Sequence, residues 1–133
     1  MTTNIEIKNV TKTIHGSTVL DDISLSMKSG VIYGFQGING SGKTMLMRIV
    51  SGLIYPTSGI IMINGKTLGR EITFPESIGI FLESPSFLDN YSGLENLKML
   101  ASIQNKIDEK TIKNCIKMVG LNPDDKKKYR KYS

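Results

Sequence analysis

Residues 37–44 read GINGSGKT, a complete G-x-x-x-x-G-K-[ST] pattern, and this motif constrains the fold of the chain more than any other feature. Such a loop is expected to follow a buried strand and to open a helix. A mostly apolar run at 31–35 precedes it. After it, four apolar residues at helical spacing predict an amphipathic helix: Leu46, Ile49, Val50 and Leu53. Gly52 and Pro56 then predict the end of that helix.

The residue types of the loop suit the binding of a nucleotide triphosphate. Backbone N–H groups at a helix N-terminus bind anions, and the glycines let the backbone curl around phosphates without a Cβ in the way. Lys43 is expected to reach the β- and γ-phosphates, and the Thr44 hydroxyl to join the shell of a Mg²⁺ ion. The predicted phosphate-binding residues are Gly37, Ile38, Asn39, Gly40, Ser41, Gly42, Lys43 and Thr44.

Length and composition predict one soluble globular domain. The chain has 133 residues, of which 39% are hydrophobic, enough to bury a core. It has neither an apolar run of membrane-spanning length nor the pattern of a signal peptide. The single cysteine, Cys115, excludes an internal disulfide and fits a reducing cytoplasm. Its expected role is that of a small core residue on a helix.

The net charge of +5 is concentrated near the end of the chain. Residues 126–131, which we call the basic segment, read KKKYRK and carry five positive charges. Such a run is compatible with nucleic-acid phosphates, with anionic lipid, or with a solvated loop or helix end. We favour the solvated loop and expect no nucleic-acid partner.

Apolar periodicity predicts a sheet first and helices later. Residues 5–10 and 19–27 alternate between apolar and polar, which predicts two half-buried strands. Residues 60–63, followed by an Asn-Gly turn, predict a further strand and a hairpin. Another apolar strand is predicted at 78–82.

Two helices are predicted after residue 91. Ser92 and Glu95 form a capping-box pattern, and Leu94, Leu97 and Ala101 follow on one face. A second helix is predicted between Asp108 and Gly120. Its expected buried residues are Ile112, Cys115, Ile116 and Val119.

The order of these parts resembles the ATP-binding cassette family, the ATPase subunits of ABC transporters. The resemblance covers essentially the whole chain and rests on five tags in family order: VLDDISL at 19–25, the loop and helix at 37–53, PTSG at 56–59, ING at 63–65 and SGLENL at 92–97. Within the family, the chain is most similar to the bacterial multidrug or antimicrobial-peptide export type.

The resemblance implies an α/β P-loop NTPase of ABC type. Residues 1–30 would form an antiparallel β-subdomain, 31–90 the start of the core sheet with the P-loop, and 91–133 the start of a helical subdomain. The implied activity is hydrolysis of ATP with Mg²⁺, coupled to transport by a membrane permease. The implied partners are that permease and a second cassette in a head-to-tail dimer. The implied location is the cytoplasmic face of the cell membrane.

Two site residues are implied by the resemblance alone, and both depart from the family pattern. The family carries an aromatic residue near Ile14 or His15 that stacks on adenine, and here His15 is the candidate. The family's Q-loop glutamine position is occupied by Glu83. A carboxylate there is a hard oxygen ligand that could approach Mg²⁺ or the attacking water. Lys43 and Glu83 are therefore the candidate catalytic residues, and Thr44 and Glu83 the candidate metal ligands.

The resemblance also implies that further family motifs lie downstream of Ser133. These are the signature motif, which Tyr132 and Ser133 would begin, the strand ending in Asp-Glu, and the switch histidine. We therefore expect the chain to be the N-terminal portion of a longer ATPase that binds nucleotide without turnover by itself.

Two alternative functions remain open on sequence grounds. One is a compact small-molecule kinase, in which the strand at 78–82 ends at Glu83. An argument against the kinase is that the sequence shows no arginine-rich lid, since its only arginines are Arg48, Arg70 and Arg130. The other is a nucleic-acid-associated cassette ATPase, which would use the basic segment.

Overall fold

The structure, a computed structural model, describes residues 4–82 and 87–132. The chain forms two compact units, Met1–Leu82 and Glu83–Ser133. Within the described ranges, no helix is long and apolar enough to cross a membrane. Glu83 itself lies outside the described residues. The division of the chain at residues 30 and 90 stays a prediction.

The first unit is built on a four-stranded antiparallel sheet in the order β2-β1-β3-β4. The strands are β1 Asn4–Ile14, β2 Ser17–Lys28, β3 Ser58–Ile63 and β4 Lys66–Thr67. Both hairpins turn on two residues at positive φ, His15 and Gly16 in one and Asn64 and Gly65 in the other. This turn geometry matches the twist of the paired strands. The predicted antiparallel N-terminal sheet and the Asn-Gly hairpin are confirmed.

A bulge at Asn9 explains why the apolar residues of β1 do not alternate strictly. Ile7 and Val10 are three positions apart, so a regular strand would turn them to opposite faces. Instead, Asn9 adopts a φ of 51° and the pairing with β2 shifts between Ile7 and Val10. Both side chains are fully buried. The irregular residue therefore brings both into the same core.

Helix α1, Lys43–Val50, follows the glycine-rich loop and packs on the sheet. Leu46 and Ile49 are its buried residues and join the core of the first unit. Gly52 lies just beyond the helix with a φ of 79°, the conformation in which glycine commonly ends a helix. The predicted helix and its end are confirmed. Leu53 is 54% exposed, so it does not extend the buried stripe as predicted.

The strands predicted at 31–35 and 78–82 are not formed in the described part of the chain. No backbone hydrogen bond joins either segment to another described segment, and Ile32 and Phe81 are 100% and 75% exposed. An extended segment becomes a strand only when a neighbour completes its hydrogen bonds, and a buried core strand also needs both faces covered. Among the described residues, neither segment has a hydrogen-bonded neighbour or cover on both faces. The two predicted strands are therefore wrong for this structure.

The second unit contains two helices with side-chain caps. They are α2, Gly93–Ser102, and α3, Glu109–Met118, and a short 3-10 helix follows at Tyr129–Lys131. The Ser92 hydroxyl accepts the Glu95 N–H, while the Glu95 carboxylate accepts the Ser92 N–H at 2.7 Å. The Asp108 carboxylate accepts the Thr111 N–H at 2.8 Å. The capping box and the predicted start of the second helix are therefore confirmed.

Asn96 of α2 secures the loop in front of the helix, a role that the sequence does not predict. Its side chain is buried, and its Oδ1 accepts the Leu88 N–H at 2.8 Å. Its amide donates to the carbonyl oxygens of Leu88 and Ser92, at 3.1 Å each. These bonds satisfy a buried polar group, which would otherwise cost about 1–3 kcal/mol.

Two of the side chains predicted to be buried on the second helix are exposed. Ile112 and Ile116 are buried as predicted, but Cys115 is exposed and Val119 is 72% exposed. The assignment of both as core residues is therefore wrong. Cys115 and Val119 border a cavity instead of packing against a neighbouring segment.

The capping box predicts how acid changes stability. The hydrogen bond from the Ser92 N–H lowers the pKa of Glu95 below its ordinary value of 4.5. Because the folded pKa is the lower one, this stabilisation is present above about pH 4.5 and is lost as the pH falls through the folded pKa. We expect urea denaturation to show that acidification lowers the free energy of unfolding less in Glu95→Gln than in the original chain. Equal pH dependence of the two would contradict this role.

Candidate nucleotide-phosphate site

The loop at residues 37–44 takes its shape from two glycines in the left-handed region. Gly40 and Gly42 have φ values of 84° and 85°. A Cβ on Gly42 would also lie 2.7 Å from the Val19 carbonyl oxygen and 2.7 Å from Leu20 Cδ2. The loop is therefore in close contact with β2, and both conformation and space require glycine at position 42.

Lys43 directs its ammonium group back into the loop. Nζ donates to the carbonyl oxygens of Gly37 and Ile38 at 2.7 Å each, and to Ser41 Oγ at 3.1 Å. The first turn of α1 contains no acidic residue. The ammonium charge therefore adds to the positive end of the helix dipole, and the loop favours an anion.

Backbone N–H groups of the loop are available to such an anion. Within the described residues, no backbone acceptor is found for the N–H groups of Gly40, Gly42, Lys43 and Thr44. The Ser41 N–H, by contrast, donates to the Ile38 carbonyl at 3.2 Å. Unpaired N–H groups at the start of a helix are the donors that bind phosphate in proteins.

A cavity of about 270 Å³ lies over these donors. It is lined by Val19 and by residues 39–45. Gly37 and Ile38 are not part of this lining, and their carbonyl oxygens accept hydrogen bonds from the Lys43 ammonium group. Pockets for complete small molecules occupy about 300–1,000 Å³. The loop cavity therefore has the size to hold the phosphate groups rather than a whole nucleotide.

The residues at the loop fit Mg²⁺ only as an ion that is bound together with phosphates. Among the described residues, no group of three or more His, Cys, Asp or Glu side chains could hold a metal ion. Thr44 is exposed on the cavity wall, and its hydroxyl is a hard oxygen ligand that suits Mg²⁺. Mg²⁺ commonly takes one or two protein ligands and completes its shell with water and phosphate.

The other two predicted site residues are not brought into this cavity by described contacts. His15 is exposed at the tip of the β1–β2 hairpin and does not line the loop cavity, although Val19 of the same hairpin does. Its contact with adenine stays a prediction. Glu83 lies outside the described residues, so its roles near Mg²⁺ and the attacking water also stay predictions.

Two residues that support the loop are not predicted by the sequence. Val19 and Leu20 of β2 lie under Gly42, more than twenty positions away along the chain. Their alternation identifies them as strand residues. It contains no information about which loop a strand contacts, because that contact depends on how the sheet and α1 pack.

Comparison with known proteins gives one consistent result. A family model described as "ABC transporter" matches residues 20–133. The uncharacterized ABC transporter ATP-binding protein YybJ of Bacillus subtilis is 45% identical over 129 residues, which cover 97% of this chain and 59% of the relative. The bacitracin transport ATP-binding protein BcrA of Enterococcus faecalis is 34% identical over 130 residues, covering 97% and 42%. The chain thus spans about half the length of these curated relatives.

Solved structures show the same fold. A putative ABC transporter ATP-binding protein from Pyrococcus furiosus aligns with a TM-score of 0.72 and 26% identity, covering 98% of this chain and 63% of the other. A dimeric ATP-binding cassette in a post-hydrolysis state bound to ADP and Pi aligns with a TM-score of 0.80 and 22% identity, covering 97% and 63%. The second likeness concerns the fold alone.

Proposed function

Because the chain belongs to the ABC transporter family, we propose that its loop at residues 37–44 binds the phosphates of ATP together with Mg²⁺. The observation that carries this proposal is the geometry of the loop. The ammonium of Lys43 and four N–H groups without a described backbone acceptor surround a cavity of phosphate size at the start of α1. This arrangement offers charge and directional donors to the same anion.

Each loop residue has a distinct role in this proposal. Lys43 binds the β- and γ-phosphates, the N–H groups of Gly40 and Gly42 donate to phosphate oxygens, and the Thr44 hydroxyl is a ligand of Mg²⁺. The ion, when bound, neutralises phosphate charge. His15 contacts adenine. Glu83 has the role of the Q-loop residue, near the ion and the attacking water.

We further propose that the chain is part of the ATP-binding subunit of a bacterial exporter. Relatives include bacitracin transport and lantibiotic transport ATP-binding proteins, which supports an antimicrobial-peptide cargo. The partners would be a membrane permease and a second cassette, with the subunit held at the cytoplasmic face of the membrane. The family match favours this function over a small-molecule kinase. No observation on the basic segment favours a nucleic-acid-associated ATPase.

Titration of the chain with ATP, in Mg²⁺ and in EDTA, tests the phosphate and metal roles together. We expect weak binding that strengthens with Mg²⁺ in the original chain, because the Thr44 hydroxyl would help to hold an ion that neutralises phosphate charge. In Thr44→Ala the advantage of Mg²⁺ should be largely lost. Thr67→Ala, which removes the hydroxyl of β4, is the matched control. A full Mg²⁺ effect in Thr44→Ala would contradict the role of Thr44.

A phosphate-release assay addresses turnover. Catalysis of phosphoryl transfer depends on positioned charges, and the resemblance assigns the catalytic carboxylate to a strand that these 133 residues do not include. We expect negligible hydrolysis. Turnover of about 1 s⁻¹ that disappears with Lys43→Ala would instead support Glu83 as a working catalytic residue.

A further inference from the structure

The three groups that hold the Lys43 ammonium are not equivalent. In the described part of the chain, Nζ donates to the carbonyl oxygens of Gly37 and Ile38 and to the hydroxyl oxygen of Ser41. An ammonium group has three N–H donors, so these acceptors together can engage all of them. The two carbonyl contacts are 2.7 Å each and the contact with Ser41 Oγ is 3.1 Å. The bond to Ser41 is therefore the longest of the three.

Ser41 also differs from the other two acceptors in where it lies. Ser41 and Lys43 both line the loop cavity, whereas Gly37 and Ile38 do not. The two carbonyl oxygens therefore hold the ammonium from the loop side, and the Ser41 hydroxyl holds it on the side that an anion enters. A donor whose direction is fixed before binding loses less conformational freedom when the ligand arrives, and this favours affinity.

The backbone keeps Ser41 close to the ammonium. The Ser41 N–H donates to the Ile38 carbonyl oxygen at 3.2 Å. The same oxygen accepts a hydrogen bond from Lys43 Nζ. The serine and the ammonium are thus tied to one atom, and the short Ser41 side chain reaches Nζ without leaving the loop.

Gly37 leaves the space that the Ser41 hydroxyl occupies. Gly37 does not share the positive φ of Gly40 and Gly42, so its conformation alone does not require glycine. A Cβ at Gly37 would lie 2.6 Å from Ser41 Oγ and 3.3 Å from Ser41 Cβ, but 3.8 Å from Lys43 Nζ. An alanine there would therefore displace the hydroxyl first. Rotation about χ1 of Ser41 relieves the contact, and it moves Oγ away from the ammonium.

We propose that Ser41 is a positioning residue for Lys43 and that Gly37 makes this role possible. The hydroxyl accepts the N–H on the cavity side and so directs a long, flexible side chain toward the phosphates that enter there. Because this bond is the longest of the three, a phosphate oxygen can share it while both carbonyl bonds remain. The inference rests on the function proposed for the loop, since the phosphates of ATP are the anion concerned.

The reactivity of Lys43 tests its position without any nucleotide. Trace labelling with acetic anhydride, followed by mass spectrometry of peptides, gives the acetylation rate of Lys43 relative to that of Lys66 in β4. Engaged N–H groups shield the amine, so Ser41→Ala should raise this ratio at least about threefold. Gly37→Ala should raise it by a similar factor, because it moves the same hydroxyl. Ser26→Ala removes an exposed serine hydroxyl of β2 and, as the matched control, should leave the ratio unchanged.

Calorimetric titration with ATP measures the consequence for binding. Ser41→Ala and Gly37→Ala should each weaken ATP binding about three- to tenfold. The double variant should lose no more than the weaker-binding single variant, because both substitutions remove the same hydrogen bond. Two unrelated distortions of the loop would instead multiply their effects.

Unchanged acetylation of Lys43 in Ser41→Ala, or losses of ATP affinity that multiply in the double variant, would overturn the positioning role. Circular dichroism checks that each variant keeps its helix and strand content, and the acetylation ratio of Ser41→Ala decides alone if Gly37→Ala does not fold. Failure of the function proposed for the loop gives a different result. ATP binding would then be indifferent to Lys43→Ala, while the acetylation ratio would still report whether Ser41 holds the ammonium.

Discussion

Replacing Lys43 by alanine is expected to weaken ATP binding by about 30- to 1,000-fold, which corresponds to roughly 2–4 kcal/mol. The substitution removes the one ammonium group that the loop holds, at 2.7 Å from the Gly37 and Ile38 carbonyl oxygens. Without it, those carbonyl oxygens face the phosphates with no intervening positive charge, and only the backbone N–H groups and the helix dipole still favour the anion. Calorimetric titration with ATP measures the loss.

Lys66→Ala is the matched control for this experiment. Lys66 lies in β4, and its ammonium forms an exposed ion pair with Glu76 at 3.6 Å. Its removal therefore changes the net charge equally without touching the loop. Circular dichroism should show that both variants keep the helix and strand content of the original chain. ATP affinity that is unchanged in Lys43→Ala would show that the loop is not the nucleotide site.

Replacing Gly42 by alanine is expected to lower both the stability of the first unit and its affinity for ATP. An L residue at a φ of 85° costs about 1–2 kcal/mol, and the contacts of its Cβ with Val19 and Leu20 add roughly 1–3 kcal/mol. The loop can relieve these contacts only by moving away from β2. That movement also displaces the N–H groups of Gly42 and Lys43, so both urea denaturation and ATP titration should register the change.

Gly40→Ala separates the two causes. Gly40 has nearly the same φ, 84°, but among the described residues no heavy atom beyond those of Gly40 and its two chain neighbours lies within 4 Å of the position that a Cβ would occupy. We therefore expect only the conformational cost of about 1–2 kcal/mol. Equal destabilisation by the two substitutions would show that the close contact between Gly42 and β2 contributes nothing.

Local patterns in the sequence predict the parts of this fold that depend on residues close together along the chain. The Asn-Gly turn, the capping box of Ser92 and Glu95, and the end of α1 at Gly52 each involve positions a few residues apart, and all three are confirmed. The glycine-rich loop at residues 37–44 is a local pattern of the same kind. Its glycines, Lys43 and Thr44 follow one another in the chain, so the spacing alone determines that they share one turn at the start of a helix.

Tertiary structure alone decided which segments are paired or covered. Val31, Ile32 and Cys115 are of residue types that are commonly buried, yet all three are exposed, because burial depends on neighbours that residue type does not identify. The same reason applies to β1, where the bulge at Asn9 brings Val10 into the core against strict alternation. At the site, the sequence by itself determined the glycine-rich loop at the start of α1. The packing of sheet and helix decided that Val19 and Leu20 lie beneath Gly42, a contact between distant positions that has no local pattern.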